Sequence, residues 1–143
     1  MPSGEKIFIT NRKGQRVAVL VEVKPNQRGL AFIMHGLGGN KDGAMQVALK
    51  EECREAGYTV VRFDTTNTFG ESDGRYEDAT ATNYFEDLED VIAWAAAQAW
   101  YQEPFVLAGH SLGALCLTHF AQRHPEKVKA LAPLAVVVSG ELS

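Results

Sequence analysis

The chain has 143 residues, 18 acidic against 14 basic side chains, a net charge of −4 and 45% hydrophobic residues. That is one domain's length, enough for a core of its own and too little for two ordinary domains. With 22% charged and 9% aromatic residues it reads as folded and globular rather than as a disordered tail. It has no Lys/Arg cluster, so it offers neither the basic face that a nucleic-acid partner needs nor a polybasic membrane anchor.

The first six residues are polar and lack the apolar segment of a signal peptide. Residues 6–10 and 16–23 are rich in Ile and Val and read as two strands, joined by a turn at 11–14 into a hairpin. Residues 30–34 form a short, wholly apolar strand that ends in the glycine-dense run His35-Gly36-Leu37-Gly38-Gly39. A helix is expected over 42–56, with Met45, Leu49, Cys53 and Ala56 on one stripe and Gly57 as the stop. Residues 59–63 are another strand, closed by Asp64, and a long polar loop follows from 65 to about 81. Loops of that length are uncommon and often functional. Phe85, Leu88, Ile92, Ala95 and Ala99 recur at spacings of three and four, with Asp and Glu near the start, which predicts a helix. Residues 105–108 are a strand, 111–123 a helix ended by His124-Pro125, and 128–138 contain the last strand. The longest apolar run, 131–138, is far too short to span a bilayer. Cys53 and Cys116 are too few for a disulfide scaffold and form no CxxC pair, so both are read as reduced, buried and apolar in role. A soluble, reducing, cytoplasmic setting is the default expectation. After the hairpin the chain alternates strand and helix, which specifies an α/β fold: a mostly parallel sheet with helices on both faces and an antiparallel N-terminal hairpin.

Gly109-His110-Ser111-Leu112-Gly113 matches G-x-S-x-G, directly after one strand and directly before a helix. In that setting the serine sits on a tight, strained bend. Its flanking glycines, Gly109 and Gly113, are expected to approach each other too closely for a Cβ. The hydroxyl is then held at the carboxyl end of the sheet above a helix N-terminus, which favours the negative charge of acyl transfer. A chance match arises in about one chain in twenty of this length; the strand before and helix after remove most of these. The competing role for Ser111 is that of a plain N-cap. The run from His35 to Gly39 supplies a second piece. An oxyanion hole needs one N–H from the residue after the nucleophile, Leu112, and one from a loop after an earlier strand, for which Leu37 is the natural donor. A dinucleotide loop is excluded by spacing, because its third glycine would fall on Lys41.

These stretches, with Arg62-Phe63-Asp64 leading to Gly70-Glu71-Ser72-Asp73-Gly74 and the position of Asp87, resemble the α/β-hydrolase superfamily, and within it the serine-aminopeptidase and cinnamoyl-esterase-like hydrolases. The resemblance covers nearly the whole chain. It implies a sheet made of the first six of eight strands, with the hairpin at the edge, and an esterase-type serine hydrolase. Ser111 would be the nucleophile, Leu37 and Leu112 the oxyanion donors, and His35, Gly36, Gly109, His110 and Gly113 the supporting motif residues. No metal or organic cofactor is implied, and the substrate is a small ester or related acyl compound. The family's triad runs Ser, then Asp or Glu, then His, and only 32 residues follow Ser111. The expectation is therefore a chain that stops after the sixth strand, without its catalytic histidine and inactive alone.

None of the four histidines is a convincing base. His119 lies about 12 Å along its helix from Ser111, His124 is farther, His35 sits in the oxyanion loop, and His110 is the elbow's variable position. Glu141 stands where some relatives carry the acid, with an exposed loop glutamate as the plainer reading. Glu71, Asp73, Glu77 and Asp78 match no metal-ligand spacing. Asp64 is expected to brace the loop that follows it. Phe69 and Tyr76 either line the substrate side or pin the loop. The rival reading is a non-catalytic hydrolase-fold module whose apolar last strand pairs with a complementing chain or a second copy.

Overall fold

A computed structural model describes residues 4–134. Six strands form one sheet in the order β1-β2-β4-β3-β5-β6. β1 (Glu5–Thr10) and β2 (Arg16–Glu22) make the antiparallel hairpin, and β2 also runs antiparallel to β4 (Tyr58–Phe63). β3 (Gly29–Met34), β4, β5 (Phe105–His110) and β6 (Val128–Leu134) are mutually parallel. The helices are α1 (Ala44–Glu55), α2 (Ala81–Ala95) and α3 (Leu112–Arg123), with single 3₁₀ turns at Tyr76–Asp78 and Pro125–Lys127. No helix among the described residues is long and apolar enough to cross a membrane.

Side-chain alternation decides what each sheet face buries. Leu30, Phe32 and Met34 of β3, with Val61 and Phe63 of β4, face Tyr84, Leu88, Val91 and Ile92 of α2 and Cys116, Leu117 and Phe120 of α3. Ile33, Val60 and Ala108 point the other way, toward Leu49 and Cys53 of α1. β3 is buried at every position, as a central parallel strand covered on both faces must be.

Three expectations about the helices need correction. On α1 only Leu49 and Cys53 of the expected stripe pack on the sheet; Met45 and Ala56 are exposed, and Gln46 is the buried residue. Cys53 is thus half-buried, while Cys116 is buried as expected. Burial pushes both thiols up, Cys116 to about 11, so neither is a reactive thiolate. α2 carries no acidic residue in its first turn. Instead a capping box starts it: Thr80 Oγ1 accepts from Asn83 N at 3.0 Å, and Asn83 Oδ1 accepts from Thr80 N at 2.7 Å, closing two amides that the helix would leave open. α2 also stops at Ala95, so Ala99 lies beyond it.

The parallel strands come off β3 in opposite directions, to β4 on one side and β5 on the other. In open α/β sheets, ligands bind outside the carboxyl ends of the strands where the order reverses. Met34 pairs with Gly109 there, so the loops that follow β3 and β5 leave the sheet side by side.

Candidate active site

Ser111 joins β5 to α3 with φ 56° and ψ −130°. A non-glycine residue at positive φ costs about 1–3 kcal/mol and persists only where its surroundings enforce it. The enforcing contacts are backbone contacts. A Cβ on Gly109 would lie 2.6 Å from Met34 O, and one on Gly113 would lie 2.4 Å from His35 O and 2.9 Å from Met34 O. The two glycines therefore clear the end of β3 rather than each other, which corrects the sequence-based expectation. Both sides of the bend are pressed on the last residues of that strand. The Ser111 side chain caps nothing and the residue is exposed, so the N-cap role is excluded. Leu112 opens α3, and its N–H is among those that have no partner inside a helix.

The run after β3 folds back over the same bend. A Cβ on Gly36 would meet Ser111 Cβ at 2.8 Å and its Oγ at 3.3 Å, so the 35–39 loop touches the serine directly. Gly39 N donates to Gly36 O at 3.0 Å, and Gly38 holds φ 74°, a β-turn with glycine where positive φ is required. Leu37 occupies its outer corner, 52% exposed, and its N–H makes no hydrogen bond among the described residues.

The turn is pinned from beneath by buried groups. The His35 ring is wholly buried, with Nδ1 2.7 Å from Gly36 O and Nε2 accepting from Thr65 N at 3.1 Å. Those partners fix the neutral Nδ1–H tautomer. Burial, opposed by the Gly36 carbonyl and Asp64, holds this imidazole's pKa below its ordinary value. Gly38 N donates to Tyr84 Oη at 3.2 Å, and Thr68 Oγ1 donates to Gly39 O at 2.5 Å. Asp64, fully buried, accepts from Lys41 N at 2.6 Å, Lys41 Nζ at 3.0 Å and Glu71 N at 2.8 Å, so it braces the loop as expected. Lys41, also buried, reaches Glu71 at 2.6 Å. Burial disfavours its charge, but the bonds to Glu71 and Asp64 outweigh that and keep its pKa above the usual value. Glu71 in turn is pulled down to about 2, first by Lys41 and then by Lys6.

Asp87 is a second buried brace. It accepts from Thr66 N at 2.7 Å, Thr66 Oγ1 at 2.8 Å and Asn11 Nδ2 at 2.9 Å, tying α2 to the loop after β4 and to the hairpin turn. The remaining loop carboxylates have separate partners: Asp73 pairs with Arg16, and Glu77 and Asp78 with Arg75. Among the described residues no three ligating side chains meet as a metal site would require.

The histidines do not converge on Ser111. His110 Nδ1 lies 3.1 Å from Gln46 Nε2, His119 lies against Phe85 at 4.5 Å, and His124 lies against Phe120 at 4.7 Å. Glu141 lies outside the described residues. The structure thus brings together Ser111, Gly36, Leu37, Leu112 and the motif glycines, and leaves the histidines apart from the hydroxyl. Four participants were not singled out as supports of the turn and the elbow: Lys41, Gln46, Thr68 and Tyr84. Only the oddity of a lysine two residues after a glycine-rich run marks any of them in the sequence.

A family model described as the alpha/beta hydrolase fold matches residues 32–138. The chain belongs to the alpha/beta hydrolase family. It is 33% identical over 118 residues to the palmitoyl-protein thioesterase ABHD10, mitochondrial, of Bos taurus, covering 82% of this chain and 36% of the relative. It is 29% identical over 102 residues to a pyrethroid hydrolase of Sphingobium wenxiniae, covering 71% of this chain and 34% of that protein. Among solved structures, Est1E of Butyrivibrio proteoclasticus with bound ferulic acid superposes with a TM-score of 0.80 at 26% identity, over 87% of this chain and 50% of the other. Mouse alpha/beta hydrolase domain-containing protein 10 gives 0.75 at 26% identity, over 90% and 48%. The chain thus spans about a third of the curated relatives' length and about half of the solved chains.

Proposed function

We propose that this chain carries the nucleophile and oxyanion half of a serine hydrolase that cleaves ester or thioester bonds. The observation that carries the reading is Ser111 itself: an exposed, uncapped hydroxyl on a strained strand-to-helix bend, with the Gly36 turn against it. Ser111 attacks the acyl carbonyl and forms an acyl-enzyme. The N–H groups of Leu37 and Leu112 receive the developing oxyanion, one such donor being worth roughly 3 kcal/mol of barrier. Water then releases the acid. The names of the relatives, a palmitoyl-protein thioesterase and a pyrethroid hydrolase, support this reaction class. Because His35 is buried with both ring nitrogens engaged and the other three histidines contact Gln46, Phe85 and Phe120, the base comes from outside these 143 residues. The chain alone has negligible turnover on this reading.

The test is Ser111→Ala in the protein at its natural length, assayed on p-nitrophenyl esters. A loss of at least about a thousandfold in kcat/KM is expected; unchanged turnover rejects the assignment. A second reading has one observation in its favour. β6 pairs only with β5 among the described residues, which leaves an edge that can recruit another strand. On that reading the chain is a binding or assembly module, and it elutes as an oligomer or a complex in size-exclusion chromatography.

A further inference from the structure

We infer that the stacked pair Phe69–Tyr76 forms an apolar wall beside Ser111 that holds the acyl chain of the substrate and sets a preference for medium or long acyl groups. This rests on the acyl-hydrolase reading above and names the substrate class at the same site.

Seven large hydrophobic side chains stand exposed in the described chain: Phe8, Val23, Leu37, Met45, Phe69, Tyr76 and Leu115. Five of them, Leu37 through Leu115, belong to the segments at the carboxyl end of the parallel strands. Scattered single hydrophobics need no explanation, but an exposed stacked aromatic pair over the turn that touches the serine does. Phe69 and Tyr76 stack with ring centroids 4.6 Å apart and an interplanar angle of 25°. They lie directly over the Ser111-flanking turn: a Cβ on Gly38 would sit 3.3 Å from Tyr76 and 3.7 Å from Phe69. The turn residue Leu37 adds a third apolar side chain one position away.

Phe69 remains 63% exposed although its loop is firmly held. Thr68 Oγ1 bonds Gly39 O at 2.5 Å, Glu71 N bonds Asp64 at 2.8 Å, and Ser72 Oγ bonds Asp64 O at 2.7 Å. A side chain on a loose loop would be free to turn inward. This one is fixed by neighbours at 68, 71 and 72, over the turn that touches the serine, with an aromatic partner and, among the described residues, no charged group stacked on it. An extended aliphatic chain fits that surface, because each methylene it buries is worth about fourfold in binding and no ion has to be desolvated. A charged or strongly polar acyl group gains nothing there.

The experiment compares kcat/KM for p-nitrophenyl octanoate and acetate in the natural-length protein and its Phe69→Ala and Phe69→Leu variants. The octanoate-to-acetate ratio should fall about tenfold in Phe69→Ala and recover most of that loss in Phe69→Leu. A ratio unchanged within twofold, or equal losses on both esters, overturns the inference and assigns the pair to holding the loop. If the wild type hydrolyses neither ester, acyl hydrolysis itself fails, and binding decides this inference separately. Octanoate titrated into ¹⁵N-labelled protein must then shift the amides of Gly38 and residues 68–70 saturably, and more weakly in Phe69→Ala. No shift, or the same shift in the variant, overturns it.

Discussion

Replacing Asp64 by alanine tests whether the buried ion pair, rather than the glycine pattern alone, fixes the loop beside Ser111. Asp64 is fully buried and the Lys41 side chain only 1% exposed. Removing the carboxylate strips Lys41 Nζ of its buried partner and leaves it Glu71 at 2.6 Å and Asp42 at 3.2 Å, both on the solvent side. Breaking a buried pair on one side costs about 3–5 kcal/mol. The two surviving carboxylates favour the lower end, and the two amides that lose an acceptor, of Lys41 and Glu71, push upward. We therefore expect about 4 kcal/mol, a large share of a typical domain's 5–15 kcal/mol. In urea, with a slope of about 2 kcal/mol per molar, the unfolding midpoint should drop by about 2 M. The partner variant Lys41→Met closes a double-mutant cycle. Because it removes the charge that Asp64→Ala leaves stranded, the double variant should cost at least about 2 kcal/mol less than the sum of the singles. A cost below about 1 kcal/mol for Asp64→Ala, or strict additivity, would show that the pair is incidental and the reasoning wrong.

Other expectations follow from the same geometry. Ser111→Gly should raise stability by about 1 kcal/mol, since glycine relieves the positive-φ strain and loses part of that gain to chain entropy, whereas Ser111→Ala keeps the strain; equal melting temperatures for the two variants would deny that the bend is strained. The contribution of Glu71 should be complete above about pH 5 and vanish as the pH falls toward its folded pKa of about 2, because protonation first occurs in the unfolded chain, near 4.3; a stability difference between wild type and Glu71→Gln that stays constant from pH 6 to pH 3 would contradict this. His35, whose folded pKa is depressed chiefly by burial and whose ring partners suit the Nδ1–H tautomer, should stay neutral to lower pH than an unfolded histidine, with stability declining as the pH drops below the unfolded value near 6.5. Imidazole ¹⁵N shifts that titrate at or above about 6.5 would refute it.

The strand-helix order, the hairpin and the bend at Ser111 are legible in the sequence because each rests on local signals: two-residue alternation in β1 and β2, a wholly apolar β3, and glycine spacing around the serine. What is not legible depends on contacts between distant segments. Gln46 is buried on α1 in place of Met45 because its amide reaches His110, 64 positions away, and no periodicity announces that. Likewise the α2 start is set by Thr80 and Asn83, while Asp87, two turns in, is spent on Thr66 and Asn11. The carboxylates of residues 71–78 look like a cluster in sequence and separate in space because they go to different cations: Glu71 to Lys41, Asp73 to Arg16, and Glu77 and Asp78 to Arg75. The partner of the two motif glycines is hidden for the same reason: it is the end of β3, about 75 residues earlier in the chain.

That last contact has a consequence for how the protein can change. Since both elbow glycines press on the carbonyls of Met34 and His35, from which the 36–39 turn continues directly, the spacing between elbow and turn is inherited from one short stretch of backbone. Insertions beyond α3 can accumulate without disturbing that spacing. Grafting a foreign 33–37 segment onto this scaffold would instead reset both halves at once, so the two motifs should drift as a linked pair.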